Sequence, residues 1–599
     1  MKRQPENRIF YGLGLVLTLL SLGFWSGLYE NHLYFREQTQ LFQFTFDYLL
    51  KHLQTNGGMA IYAGEFFTQF FLNRFAGAAI ITLFLGLVVG LTRKLLCHFS
   101  ENRAWDMLAF IPGVSFFFWL CNPFYYFSGV IALLIALTAS LIFLKIMEHS
   151  RPVSLLVIIL PLCWWLAGGA YLILTGIAAV VWLRSKPLPK LQNTFSTRQK
   201  IGGVVFLLLF SVSFPLAFRH FLPINTLLQT FVSEAFYQIR VLFPLALVIL
   251  FSGIPVFLYL VSLLPSGGRR EKIFQIQLGL LGGLFLLGFY SYTKTVNWQA
   301  EREMEFDYLV SKAKWEEIIH LADYRQNLGP VARQALNIAL AKTGRLSEKM
   351  FHFSLGEESM FPVYERKGMT PMIASEPFYQ LGLVNFAQMM AMESVESTPD
   401  GRLPVRAVKR VAETYLINGQ YEVAYKFLVL LKHTLFYRKW AVKALTALPS
   451  EEKMNSHPDW GEKRKLMPRE DFYYNHQQMQ VALLYLLRSN AKNQMAYEYL
   501  MAIYLYRRDL DGFLKFLPMA KNFANQELPL VYQEALAYIN TLLPDTAKPA
   551  PSNEVSTAVE SALEEYARAY LNGGKNEAGR MKKDFGKTYW YYLHFGDNE

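Results

Sequence analysis

Cysteine is scarce in this chain: three in 599 residues, Cys97, Cys121 and Cys163, all in the first half. The second half therefore holds no disulfide and no cysteine-ligated metal, and its stability must come from packing. Charge is also missing where chemistry inside a bilayer would need it. Away from their ends, the long apolar runs of the first half contain no Asp, Glu, Lys, Arg or His. Ion-coupled transporters and proton pumps place such groups at mid-membrane, so that class is disfavoured, and any chemistry is expected at the membrane surface. Soluble catalytic signatures are absent as well: there is no Walker loop, G-x-S-x-G, H-E-x-x-H or GxGxxG. The histidines at 320, 352, 433, 457, 476 and 594 lack ligand spacing. No cofactor and no metal is expected.

What is present is hydrophobicity, at 53% of residues with 16% aromatic, too much for an average soluble protein. Apolar runs of spanning length recur up to about Thr293, after which charged and apolar residues alternate at helical spacing. Nine spans are predicted: residues 9–28, 75–92, 106–121, 127–145, 153–168, 169–183, 201–218, 241–264 and 273–292. Gly168 and Gly169 offer the turn of a short hairpin between the fifth and sixth. The first run reads as an anchor, since no small-x-small cleavage pattern follows Trp25.

The net charge of +12 belongs to the membrane half. Residues 1–292 carry 21 Lys or Arg against 10 Asp or Glu, and residues 293–599 carry 38 against 37. The basic excess lies in short loops, which argues against nucleic-acid binding. Alternate loops concentrate it, so the positive-inside bias predicts a cytoplasmic N-terminus. An odd number of spans then places the C-terminal domain outside, in the periplasm of a bacterial inner membrane.

Two outer loops stand out. Residues 37–54 read as one amphipathic helix suited to the membrane interface, ended by "TNGG", and residues 59–73 as a second in which Tyr62, Glu65, Gln69 and Asn73 share a face. The loop of residues 219–240 adds Arg219, His220, Glu234 and Arg240. Candidate acids or bases are Glu37, Glu30 and Glu65; candidates for a lipid phosphate are Arg219, Arg240 and His220. The plainer readings are headgroup anchors for the arginines and a structural ion pair of Glu65 with Arg74 or Lys51.

This arrangement, a first span, a long outer loop with an acid and many short-looped spans, resembles the GT-C membrane glycosyltransferases over roughly the first 290 residues. The resemblance implies a polyprenyl-linked sugar donor and an outer-loop acid near the first span acting as base, a place that Glu30 or Glu37 occupies. No Asp-x-Asp follows that span. The combination of "EQTQLFQFTFDYLL" and "GGMAIYAGEFFTQFF" with "YLMAIYLYRRDLDGFLKF" also resembles an uncharacterised family of multi-pass Bacteroidota envelope proteins, which implies no activity.

The second half reads as successive amphipathic helices. In "VKRVAETYLINGQYEVAYKFLVLL", Ala412, Tyr415, Gly419, Tyr421 and Ala424 fall at the positions of a tetratricopeptide helix pair. "YEYLMAIYLYRRDLDGFLKFL" repeats the rhythm with Tyr497, Leu500, Tyr504, Leu510 and Phe513, and "ALNIALAKTGRLSEKMF" repeats it around Gly344. Residues 446–475 read as an excursion between repeats, 542–555 as a linker, and "KTYWYYLHF" as an aromatic cap. The expected organisation is all-α: a polytopic membrane domain over 1–293 with outer loop 29–74, a tetratricopeptide-like α-solenoid over 294–545, and a linker with C-terminal helices over 546–599. The expected role is a scaffold or assembly factor whose solenoid binds envelope proteins or peptides. A GT-C-like transferase is the alternative and a flippase for a lipid-linked substrate the third; membrane lipids and a polyprenyl-linked glycan are the further partners.

Overall fold

The computed structural model describes residues 6–100, 102–149, 154–183, 197–221, 227–231, 245–263, 270–325, 327–353, 355–361, 365–366, 368–398, 401–448, 450–473, 475–523, 527–543, 554–573 and 578–596. These are mostly helical, with no strand among them. The chain forms two compact units. The first comprises residues 1–298 together with 398–405 and 430–440, and the second comprises 299–397, 406–429 and 441–599.

In the first unit, α1 (Glu6–Gly23) leads through a π turn to α2 (Glu30–Gln38), and then come α3 (Phe46–Leu53), α4 (Gly58–Thr68), α5 (Arg74–Phe99), α6 (Phe110–Trp119) and α7 (Ser128–His149). After these come α8 (Ser154–Ala167), α9 (Tyr171–Leu183), α10 (Thr197–Phe218), the short α11 (Leu227–Phe231), α12 (Leu245–Leu263) and α13 (Arg270–Thr295). Among the described residues six stretches are long and apolar enough to cross a membrane, not nine: Arg8–Leu28, Arg74–Phe99, Ser128–Met147, Leu155–Leu183, Lys200–Phe218 and Phe274–Thr295. The third expected span fails on length. Residues 103–109 wind as a 3₁₀ helix and α6 has only 10 residues, about 15 Å at the rise of an α-helix, half the hydrocarbon thickness. The fifth and sixth are one 29-residue stretch interrupted at Gly168–Ala170, where Gly168 adopts φ +54°. The eighth corresponds to α12, Leu245–Leu263, within which Gly253–Leu263 is an apolar helix.

The glycine break has a purpose in the packing. Gly57, itself at φ +75°, lies so close that a Cβ there would come 3.1 Å from the Gly168 nitrogen, and its amide donates to the Trp165 carbonyl at 2.8 Å. Two glycines meet backbone to backbone, an approach that side chains would block. At the ends of α1 and α13, the Tyr29 hydroxyl accepts from the Asn297 amide at 3.2 Å, and Tyr29 packs edge-on against Trp298. Both helices therefore end on the same face of this unit.

The second unit is built on one turn used repeatedly. After a helix, an amide bonds to the carbonyl five residues back and the preceding amide to the carbonyl three residues back, with a left-handed residue between. This occurs at Arg345 to Leu340, Gln420 to Tyr415 and Asp509 to Tyr504 (2.7, 2.9 and 2.9 Å), with Gly344, Gly419 and Arg508 at φ +67°, +74° and +58°. These are the three helix pairs read from the sequence. Two further copies, Lys314 to Leu309 and Leu383 to Phe378, turn on Ala313 (φ +54°) and Gly382 (φ +98°). In two pairs an aromatic stacks on the ring twelve positions later, Tyr415 on Phe427 and Tyr504 on Phe516, each at 5.8 Å. Residues 446–475 are no plain excursion: they contain helices Glu451–Ser456 and Pro458–Leu466. The aromatic terminus forms helix Tyr589–Phe595, which buries Trp590 and Phe595 in a small core with Val559, Leu563, Tyr566 and Met581. Most of residues 542–555 lie outside the described residues.

The turns carry a prediction. A non-glycine residue in the left-handed region costs about 1 kcal/mol, so Ala313→Gly should raise unfolding stability by roughly that amount. Gly419→Ala, where a Cβ meets nothing within 4 Å, should lower it by a similar amount through backbone strain alone; paired denaturant melts read both.

Buried and half-buried carboxylates stitch these helices together. Glu303 accepts from the Val331 and Ala332 amides (2.7 and 3.1 Å), Glu348 from Leu530 (3.2 Å) and Glu534 from Tyr589 (2.8 Å), each at a helix start. Burial pushes Glu498 and Glu534 up to about 7, against opposing amide hydrogen bonds. Folded protein thus holds protons that the unfolded chain has released between pH 4.5 and 7, and stability falls as pH rises through that window. The ceiling is about 3 kcal/mol per group. The double variant Glu498→Gln, Glu534→Gln should therefore lose less stability than wild type between pH 5 and pH 8, read as melting temperature at both values.

Candidate functional site

The segment joining α1 to α5 carries the polar groups of interest. Residues 37–54 do not form a single helix. Thr45 caps α3 by accepting from the Tyr48 amide at 3.2 Å, and Phe44 donates its amide to the carbonyl of His433 at 2.8 Å, so residues 40–45 run outside any helix. That partner is distant in sequence and overrides the amphipathic pattern. In the second helix, α4 ends at Thr68 and Asn73 leaves the shared face to cap α5, accepting from the Phe75 and Ala76 amides.

Glu65 is 4% exposed and sits at the centre of a closed cluster. Its Oε2 lies 3.0 Å from His52 Nε2 and accepts from the Tyr48 hydroxyl. Its Oε1 lies 3.5 Å from Arg402 Nε, and the Arg402 guanidinium stacks over the Tyr126 ring at 3.8 Å. His52 Nδ1 lies 2.8 Å from the Tyr48 carbonyl, so each ring nitrogen has an oxygen within hydrogen-bond distance. Burial works against the Glu65 charge, but the His52 hydrogen bond and the Arg402 charge hold its carboxyl below the ordinary range. Burial, with the Glu65 charge added, keeps the Tyr48 phenol protonated far above its usual range.

A second cluster surrounds Arg36 on α2. Its Nη2 donates to the carbonyls of Asn122, at 2.7 Å, and Tyr125, and its Nε to His32 Nε2 at 3.1 Å. Those carbonyls follow the C-terminus of α6, where the helix dipole favours a cation. Burial lowers the Arg36 guanidinium to about 10. Burial and the neighbouring Arg36 charge keep the His32 imidazole well below its usual range, which leaves it neutral. The next residue, Glu37, is 3% exposed and accepts from the Tyr437 hydroxyl at 2.9 Å.

The sequence candidates are thus distributed, not convergent. Glu30 pairs with Arg74 at 2.6 Å in a partly exposed bridge, Glu37 takes Tyr437, and Glu65 takes His52 and Arg402 in place of Arg74 or Lys51. Arg219 and His220 lie just past α10, where Arg219 donates its amide to the Pro215 carbonyl; Arg240 lies outside the described residues. An apolar cavity of about 950 Å³ between α1, α5, α6 and α13 is lined by none of these residues. Sequence reading overlooked Tyr48, His52, Arg36, Tyr126, Arg402 and Tyr437. Only the first two left a signal, their four-residue spacing on α3.

The described residues contain no group of three or more His, Cys, Asp or Glu able to hold a metal. Chemically, the two clusters fix the segment that joins α1 to α5, and the carboxylates of Glu65 and Glu37 are enclosed by partners from the fold itself. No curated protein and no solved structure matches the chain. A family model does match, over residues 6–596, and the chain belongs to this family of unknown function, DUF6057.

Proposed function

We propose that the protein is a non-catalytic, multi-pass envelope protein of a bacterial inner membrane that presents a tetratricopeptide-like helical unit as a binding module for envelope proteins or peptides. The observation that carries this reading is the enclosure of Glu65 by Tyr48, His52 and Arg402. A general base needs a path to its substrate's proton, and here that path is filled by the protein. Support for the binding module comes from the recurring turn: the copies at Leu309, Leu340, Phe378 and Tyr415 are 31, 38 and 37 residues apart, close to the 34-residue tetratricopeptide period. The shared face of the α1 and α13 ends supports a cytoplasmic N-terminus with residue 299 onward in the periplasm.

Photo-cross-linkers placed at Tyr425 and Tyr473, which are 55% and 89% exposed, in full-length protein in its native membrane test this reading. Discrete protein adducts are the expected result, together with labelling of an introduced Ser397→Cys by an impermeant maleimide from the periplasmic side. The reading is abandoned if no adduct forms and membranes instead transfer sugar from a polyprenyl-linked donor in a manner lost with Glu37→Gln or Glu65→Gln.

A further inference from the structure

We infer that the cavity between α1, α5, α6 and α13 holds the hydrocarbon chains of an anionic membrane lipid, with its head group at the Arg93 end. The argument is independent of the binding-module reading. The cavity is lined along α1 from Phe10 to Ser21 and along α13 from Leu281 to Tyr292, a run of about 17 Å at helical rise, or roughly one leaflet of hydrocarbon. Its walls are apolar. The hydroxyls of Ser21 and Thr82, which face it, satisfy each other at 2.7 Å, so nothing there holds water, and an apolar space of this kind takes hydrocarbon.

Glycines on α5 keep the space open. Gly86 and Gly90 line it at helical spacing, and a Cβ at either meets nothing within 4 Å. The two ends differ in charge. At the Phe10 end, Arg93 stacks over Phe10 at 4.1 Å, donates to the Tyr11 hydroxyl at 3.1 Å and pairs with Asp106 at 2.8 Å. Arg103, with its side chain 43% exposed, stands 3.8 Å from the same Asp106, and Lys94 follows Arg93 in the chain. Arg93 and Arg103 thus face one carboxylate, a surplus of one cation suited to a phosphate at headgroup depth. The opposite end is formed by Phe117 and Tyr292, and the lining itself carries no charged residue.

The test is native mass spectrometry of the detergent-purified full-length protein with added phosphatidylglycerol or phosphatidylethanolamine of matched chains. Wild type should retain phosphatidylglycerol about tenfold more tightly, a difference of about 1.4 kcal/mol. Gly86→Leu with Gly90→Leu should abolish retention of both lipids, and Arg103→Gln should remove the preference while leaving chain binding in place. Equal retention of the two lipids by wild type overturns the head-group assignment. Undiminished retention in the double leucine variant, with a melting temperature matching wild type, overturns the cavity as the site. If that variant does not fold, Arg103→Gln decides: an unchanged preference overturns the proposal.

Discussion

Arg406→Met should destabilise the second unit by about 3–5 kcal/mol, the usual consequence of removing one partner from a buried ion network. Arg406 is 9% exposed and binds Asp307 through Nη1 at 2.6 and 2.8 Å and Glu376 through Nη2 at 2.7 Å. Arg410 adds a second cation at 3.2 Å from Glu376 and stacks over Tyr379 at 3.4 Å, whose hydroxyl donates to Asp459. Burial opposes the charge on Glu376, but Arg410 and Arg406 together hold its carboxyl below the usual range. Loss of Arg406 leaves Asp307, whose carboxyl burial already pushes up, enclosed without its cation. Scanning fluorimetry in detergent reads the effect, with Arg366→Ala as the comparison. Arg366 is 64% exposed and reaches Glu393 and Glu396 only at 3.7 and 3.8 Å, so it should change stability by less than about 0.5 kcal/mol. A small effect at Arg406 would show that the network relaxes into water.

Glu65→Ala should be as damaging in the first unit, and by the same mechanism, because it leaves the Arg402 guanidinium buried without its carboxylate and takes from His52 its hydrogen-bond partner. The readout is local. Arg402 is buried in the native protein and protected from trypsin; in the variant the bond after Arg402 should become an early cleavage site. Tyr48→Phe removes one hydrogen bond and should cost about 1 kcal/mol, without new cleavage. Unchanged protection in Glu65→Ala would mean that contacts other than Glu65, that with Tyr126 among them, hold Arg402.

Sequence patterns carried the parts of this fold that depend on near neighbours. The left-handed turn at Gly419 was legible because glycine is the residue that position favours. Ala313 and Arg508 hold the same conformation without announcing it, and the second was found only through the aromatic rhythm of Tyr504 and Phe513. Span counting succeeded where apolar runs were long and failed at residues 106–121, where local winding and the Asn122 turn shorten the helix. Glu65 drew attention because a carboxylate among phenylalanines needs a partner. Which partner was not legible: Arg402 and Tyr437 lie hundreds of residues away from the segment they fix, and no helical periodicity spans that distance.

The Glu37 to Tyr437 bond joins residues 400 positions apart. At a synthesis rate of roughly 5–20 residues per second, Tyr437 leaves the ribosome about 20 to 80 seconds after Glu37. During that interval α2 has been made but its buried carboxylate has no Tyr437, and Glu65 likewise waits for Arg402. The first unit of the newborn chain is therefore an incomplete object until the later segments arrive, and the segment joining α1 to α5 is the part that waits for them.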